Sequence, residues 1–89
     1  MRTIRRTSQF KKDVQSMAKC GKEFGEFKGV IRKRAAGKTL KTKYRDHVLV
    51  GQYKGIRECH IEPDWLLIYE LTESELILVR TGTHSDLFR

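Results

Sequence analysis

The apolar residues of this chain change their period once, and the change falls near residue 47. Ahead of it, Phe10, Val14, Met17 and Ala18 recur at helical spacing, and Phe24, Phe27, Val30, Ile31 and Ala35 follow in the same manner. Such spacing lines one face of a helix. Behind it the alternation is two-residue, in short runs at 48–53, 57–62, 65–71 and 75–81. A chain written this way has two amphipathic helices to lay against a sheet.

Local signals set the boundaries. Thr3 to Arg6 reads as a short first strand, and Ser8 as the N-cap of the first helix. Gly21 and Gly37 stand where each helix should stop in a left-handed residue. Gly25 and Gly29 weaken the second helix, by about 1 kcal/mol each relative to Ala, and their spacing leaves room for a close neighbour. Two helices so close in sequence form an antiparallel hairpin. Residues 38–47 are a polar, basic connection. Lys54-Gly55, Pro63-Asp64 and Thr72-Glu73-Ser74 are turns, too short to join anything but antiparallel neighbours. Trp65 to Leu71 is apolar on both faces, which marks a strand covered on each side. The expected fold is α/β, more strictly α+β. It has a twisted, mainly antiparallel sheet, made of an N-terminal strand plus a four-stranded meander, with the helical hairpin on one face. Residues 1–89 form a single domain, since 89 residues hold only one core.

No apolar run approaches the roughly 20 residues of a membrane span, and the charged N-terminus lacks the apolar stretch of a signal peptide. A soluble, cytoplasmic chain is expected. Cys20 and Cys59 have no CxxC spacing and read as reduced thiols. No histidine or cysteine pair has helical metal-ligand spacing. The net charge of +8 is divided unevenly. Residues 1–45 carry 15 of the 19 Lys and Arg and only Asp13, Glu23 and Glu26 as acids, while residues 46–89 are net negative. Solvated helix faces account for some of this. An excess so concentrated also fits an anionic partner such as RNA, DNA, a ribosome or an acidic protein.

The ionisable residues gather elsewhere. His60, the turn Glu62-Pro63-Asp64-Trp65 and the tail Thr81 to Phe88 lie in the acidic half. Simple alternation puts Cys59 and Ile61 toward the helices, and Glu58, His60 and Glu62 on the other face. It puts Leu78 and Arg80 on one face of the last strand, Ile77 and Val79 on the other. The three histidines fall outside both long helices, and the tail leaves Gly82 positioned to bring His84 and Phe88 over the sheet end. Histidine moves protons near neutral pH, so a basic chain with this cluster suits acid–base chemistry on a polyanion.

The stretch Tyr53 to Tyr69, with HIEPDW at its centre, and the tail RTGTHSDLF from Arg80 to Phe88 resemble the YafQ branch of the RelE/ParE toxin superfamily. The order of elements is similar along the whole chain. The resemblance implies the toxin of a type II toxin–antitoxin pair, a ribosome-dependent mRNA endonuclease that uses no metal or other cofactor. The implied partners are a DinJ-like antitoxin with a ribbon-helix-helix end, the ribosome and mRNA. Operator DNA would be met only through the antitoxin complex, and no membrane is involved.

By the same resemblance His60, His84, Asp64 and His47 are catalytic, and Arg80 holds the phosphate. Phe88 and Trp65 position a base. Metal-free RNA cleavage requires a base for the 2′-hydroxyl, an acid for the leaving 5′-oxygen and donors on the phosphate, and these residues supply all three. Which histidine is base and which acid stays open. Asp64 also fits an ordinary turn residue, and Trp65 a core aromatic. Phe88, one residue from the end, makes sense as a stacking platform for a splayed base. A ParE-like gyrase-inhibiting toxin is the alternative from another class, and a plain RNA- or DNA-binding module a third. Neither requires clustered histidines.

Overall fold

The computed structural model describes residues 1–49 and 55–88. Strand β1 (Thr3–Arg6) leads into α1 (Ser8–Lys19), and α2 (Gly25–Ala35) follows after a short loop. A 3-10 turn at Thr42–Tyr44 interrupts the basic connection before β2 (His47–Val48). Then come β3 (Ile56–Glu62), β4 (Trp65–Leu71), β5 (Glu75–Gly82) and a last helical turn, α3 (His84–Leu87). The sheet order is β1-β5-β4-β3-β2, with β1 parallel to β5 and the other pairs antiparallel. Of the strand expected over 48–53, β2 contains Val48, and residues 50–54 lie outside the described residues.

The core lies between the sheet and the two long helices. Phe10, Met17, Phe27, Val30 and Ala35 meet Cys59, Leu67, Tyr69, Leu76 and Leu78 there. Trp65 sits at its centre, stacked on Phe27 at 5.1 Å and edge-on to Phe24 at 5.4 Å. Gly21 and Gly37 end the helices at φ +80° and +78°, a conformation nearly free of cost only for glycine. The N-cap of α1 is Thr7 rather than Ser8: the Thr7 hydroxyl accepts from the Phe10 N–H. Thr7 also donates its own hydroxyl to the Val79 carbonyl at 2.8 Å, which ties the helix start to β5. At Gly29 a Cβ would meet nothing within 4 Å among the described residues, so no close neighbour there explains that glycine.

Two register shifts overturn the simple alternation. On β3, His60 faces Leu66 but Glu62 faces Trp65, which leaves Ile61 as an extra residue. On β5, Leu78 faces Tyr69 but Arg80 faces Ile68, which leaves Val79 as the extra one. A bulge moves everything beyond it to the opposite face. Glu62 therefore turns to the helix side, where it receives Lys22 Nζ at 3.0 Å, and does not stand beside His60. Arg80 leaves the face of buried Leu78. The second bulge has a local cause. Thr7 takes the consecutive carbonyls of Leu78 and Val79, through its N–H and its hydroxyl, where β1 gives way to α1.

Candidate active site

Strand pairing builds the site in two rows on the face away from the helices. His47 opposes Glu58, Glu58 opposes Ile68, and Ile68 opposes Arg80. The next row is His60, Leu66 and Gly82. Directly opposed residues share a face, so His47, Glu58, His60 and Arg80 all rise from it. Glu58 is buried and its Oε2 lies 3.3 Å from Nε2 of His47 and 3.6 Å from Nε2 of His60. Sequence alternation puts Glu58 beside His60 yet assigns it no role. The bridge to His47 needs the β2–β3 pairing, which local pattern does not reveal.

The loop ahead of His47 is fixed from below. Arg45 takes a left-handed conformation at φ +47°, and its carbonyl lies 2.6 Å from His47 Nδ1. Asp46, half-sunk, is held by Arg57 Nη2 at 3.2 Å, by Arg34 Nε at 3.8 Å and by the Tyr69 hydroxyl. Burial first, and then the Asp46 carboxylate, push the Tyr69 hydroxyl far above its ordinary value, so it stays a donor.

The tail closes the site from the other end. Thr83 caps α3 by accepting from the Asp86 N–H, and Asp86 accepts the Thr83 N–H in return. This reciprocal cap, visible as Thr-x-x-Asp, starts a helix at His84, where a plain tail is expected from the sequence. The His84 N–H donates to Asp64 Oδ1 at 3.0 Å, and its Nδ1 lies 3.7 Å from the same oxygen. The Pro63-Asp64 turn and the tail are thereby joined. The His84 ring sits 6.1 Å from the His60 ring and 5.8 Å from Phe88. His60 is mostly enclosed at 12% side-chain exposure, while His84 is 58% exposed. Phe88 is 43% exposed.

Two expected site residues stand apart. Trp65 is 0% exposed, and its Nε1–H donates to Thr81 Oγ1 at 2.9 Å. Its ring is enclosed by Phe27, Phe24 and Lys22 Nζ, the last 5.8 Å from the ring centroid, so it has no open face to offer a base. That expectation is corrected, and Trp65 supports the site by fixing β4 to β5. Arg80 points its guanidinium to Asp13 of α1, with Nε–Oδ2 at 3.0 Å and Nη2–Oδ1 at 3.1 Å. Among the described residues no group of three or more His, Cys, Asp and Glu is placed to hold a metal ion. The Nε2 atoms of His47 and His60 both turn to Glu58.

The fold and site together define a small basic α+β domain with paired imidazoles at one sheet end. The family described as "Bacterial toxin of type II toxin-antitoxin system, YafQ" matches residues 2–89. The mRNA interferase toxin YafQ of Escherichia coli K12 is 41% identical over 98% of this chain and 96% of its own length. The E. coli DinJ–YafQ complex aligns at TM-score 0.94 and 40% identity over 100% of both chains. A copper-bound mutant toxin from Helicobacter pylori aligns at TM-score 0.96 and 36% identity, over 99% of this chain and 100% of that one. The chain belongs to the YafQ family of toxins of type II toxin–antitoxin systems.

Proposed function

We propose that this chain is a cytoplasmic endoribonuclease, which cuts mRNA in the ribosomal A site without a metal and is silenced by a DinJ-like, ribbon-helix-helix antitoxin. One observation carries the reading: two imidazoles on different elements stand 6.1 Å apart, each beside a different carboxylate. They are too far apart to bond one another. They are close enough for one phosphodiester between them to exchange protons with both. Glu58 faces Nε2 of His60, and Asp64 faces Nδ1 of His84, so the other nitrogen of each ring is left for substrate. Relatives named as mRNA interferases and solved with DinJ support the substrate and the partner. The same family membership favours this reading over gyrase inhibition.

The chemistry follows from these positions. The 2′-hydroxyl 5′ of the scissile phosphate gives its proton to one histidine and attacks phosphorus. The other histidine protonates the departing 5′-oxygen. His47 and Asp64 assist, Arg80 offsets charge on the non-bridging oxygens, and Phe88 carries a base. The products are a 2′,3′-cyclic phosphate and a 5′-hydroxyl.

A programmed ribosome tests this directly. An mRNA with a single 2′-deoxy sugar just 5′ of the scissile phosphate should resist cleavage, and the same change elsewhere should not matter. EDTA at levels that spare the ribosome should have no effect. Efficient cutting of the deoxy substrate, or a product with a 5′-phosphate, would falsify the mechanism. His60→Ala and His84→Ala should each abolish cleavage and keep the fold. A variant as active as wild type removes that residue from the pair.

A further inference from the structure

Asp13 lies on α1, outside the histidine cluster, yet it is among the most heavily bonded side chains here. Its Oδ1 accepts from Gln9 Nε2 at 3.0 Å and Arg80 Nη2 at 3.1 Å. Its Oδ2 accepts from Arg80 Nε at 3.0 Å and the Thr81 N–H at 3.2 Å. The carboxylate is buried, whereas the Arg80 side chain keeps 35% of its surface exposed. Both Nε and Nη2 of Arg80 are spent on Asp13, which leaves Nη1. Arg80 also lines a cavity of about 320 Å³ with Ser16, Met17, Thr81 and Asp86. By strand register it stands in the row of His47 and Glu58, on the face that carries His60.

We infer that Asp13 is a positioning residue for RNA cleavage, which clamps the Arg80 guanidinium in one plane so that its remaining edge meets a non-bridging oxygen of the scissile phosphate. The inference rests on the proposed phosphate role of Arg80. An arginine whose side chain keeps a third of its surface exposed would otherwise sample many rotamers, and a donor has to be in place before charge develops on the phosphate. A bidentate clamp removes that freedom. The Thr81 N–H holds the same carboxylate to the strand that carries Arg80, so donor and strand move as one body. The bulge at Val79 is what brings Arg80 onto this face, within reach of the edge where α1 runs.

The test is single-turnover cleavage of A-site mRNA on programmed ribosomes, with and without a phosphorothioate at the scissile phosphate. Asp13→Asn should lower the limiting rate roughly tenfold and leave the half-saturating ribosome concentration unchanged. The rate penalty that sulfur imposes should shrink in both Asp13→Asn and Arg80→Ala. Asp13→Glu should restore part of the rate, and Asp13→Asn should add no further loss in the Arg80→Ala background. A wild-type limiting rate in Asp13→Asn, or losses that simply add, overturns the inference. If Asp13→Asn does not fold, Arg80→Lys decides. It keeps the charge and lacks the planar fork, so it should be slow with a reduced sulfur penalty, and a wild-type rate is fatal to the clamp. Wild-type cleavage by Arg80→Ala would instead remove the phosphate role itself.

Discussion

The short range of a hydrogen bond decides most of what single residues do here. Asp13 shows the balance: burial raises its pKa, but bonds from Arg80, Gln9 and the Thr81 N–H outweigh burial and hold the carboxyl below its ordinary range. The folded state therefore binds fewer protons than the unfolded chain in that range. Its contribution is present above the ordinary carboxylate pKa and fades as pH falls through the lowered one. Cys59 runs the other way. It is fully buried, and burial pushes its thiol up to about 12. An unfolded thiol ionises earlier, so between its ordinary value and about 12 the folded state keeps an extra proton and loses stability as pH rises. In denaturant melts from neutral to alkaline pH, the wild type should lose stability relative to Cys59→Ala, with a slope of at most about 1.4 kcal/mol per pH unit. A constant difference refutes it. The same burial means that a thiol reagent should label exposed Cys20 quickly and Cys59 only on unfolding. Phe88, by contrast, touches His84 and remains open, so Phe88→Ala should weaken cleavage without abolishing it, since base stacking is worth about 1–3 kcal/mol.

Elements are placed by what their ends bond to, and the sequence is legible at some of those ends and not at others. Gly29 sits in the middle of α2 with open space at its Cβ position and no positive φ. Gly29→Ala should raise the unfolding free energy by about 0.5–1 kcal/mol, and a fall in the melting midpoint would show that the glycine is needed for packing. The change of period locates both helices, and β3, β4 and β5 to within a residue, because the apolar faces at Phe10, Phe27, Leu67 and Leu78 all meet one core. Local pattern does not show the bulges at Ile61 and Val79. They answer to pairing: Glu62 must face Trp65 across a two-residue turn, and Thr7 must cap α1 while bonding β5. Those two bulges account for both errors of facing, at Glu62 and Arg80. Of the histidine cluster, residue types along the chain reveal the members, but not the Glu58 bridge or the Asp64–His84 tie, which join positions 11 to 20 residues apart.

At the scale of the whole molecule, charge and chemistry are separated. Lys11, Lys12, Lys19, Lys28, Arg32 and Lys33 are all exposed on α1 and α2. The histidine–carboxylate cluster lies on the opposite face of the sheet. Where basic residues meet acids, the pairs secure the fold: Lys22 with Glu62, Lys43 with Glu26, and Arg34 and Arg57 with Asp46. Among the described residues none of the six helix cations takes part in such a pair. A polyanion drawn to that surface would be held at many phosphates, each weakly, with a counterion released at each, so affinity should fall steeply with salt. On the proposed mechanism the cleavage step depends on paired imidazoles, and it should hardly respond to salt once a ribosome is bound. Reversing several of the six to glutamate should therefore raise the half-saturating ribosome concentration and flatten its salt slope by about one for each phosphate that is no longer neutralised. The limiting rate of cleavage should stay near wild type. The proposed Asp13–Arg80 clamp should act on the limiting rate and the helix cations on association, so the two sets of variants separate the functions of the two faces. If reversal on the helices slows the limiting rate, or leaves association unchanged and flat from low to moderate salt, the basic half is not the ribosome-facing surface and its charge serves another partner.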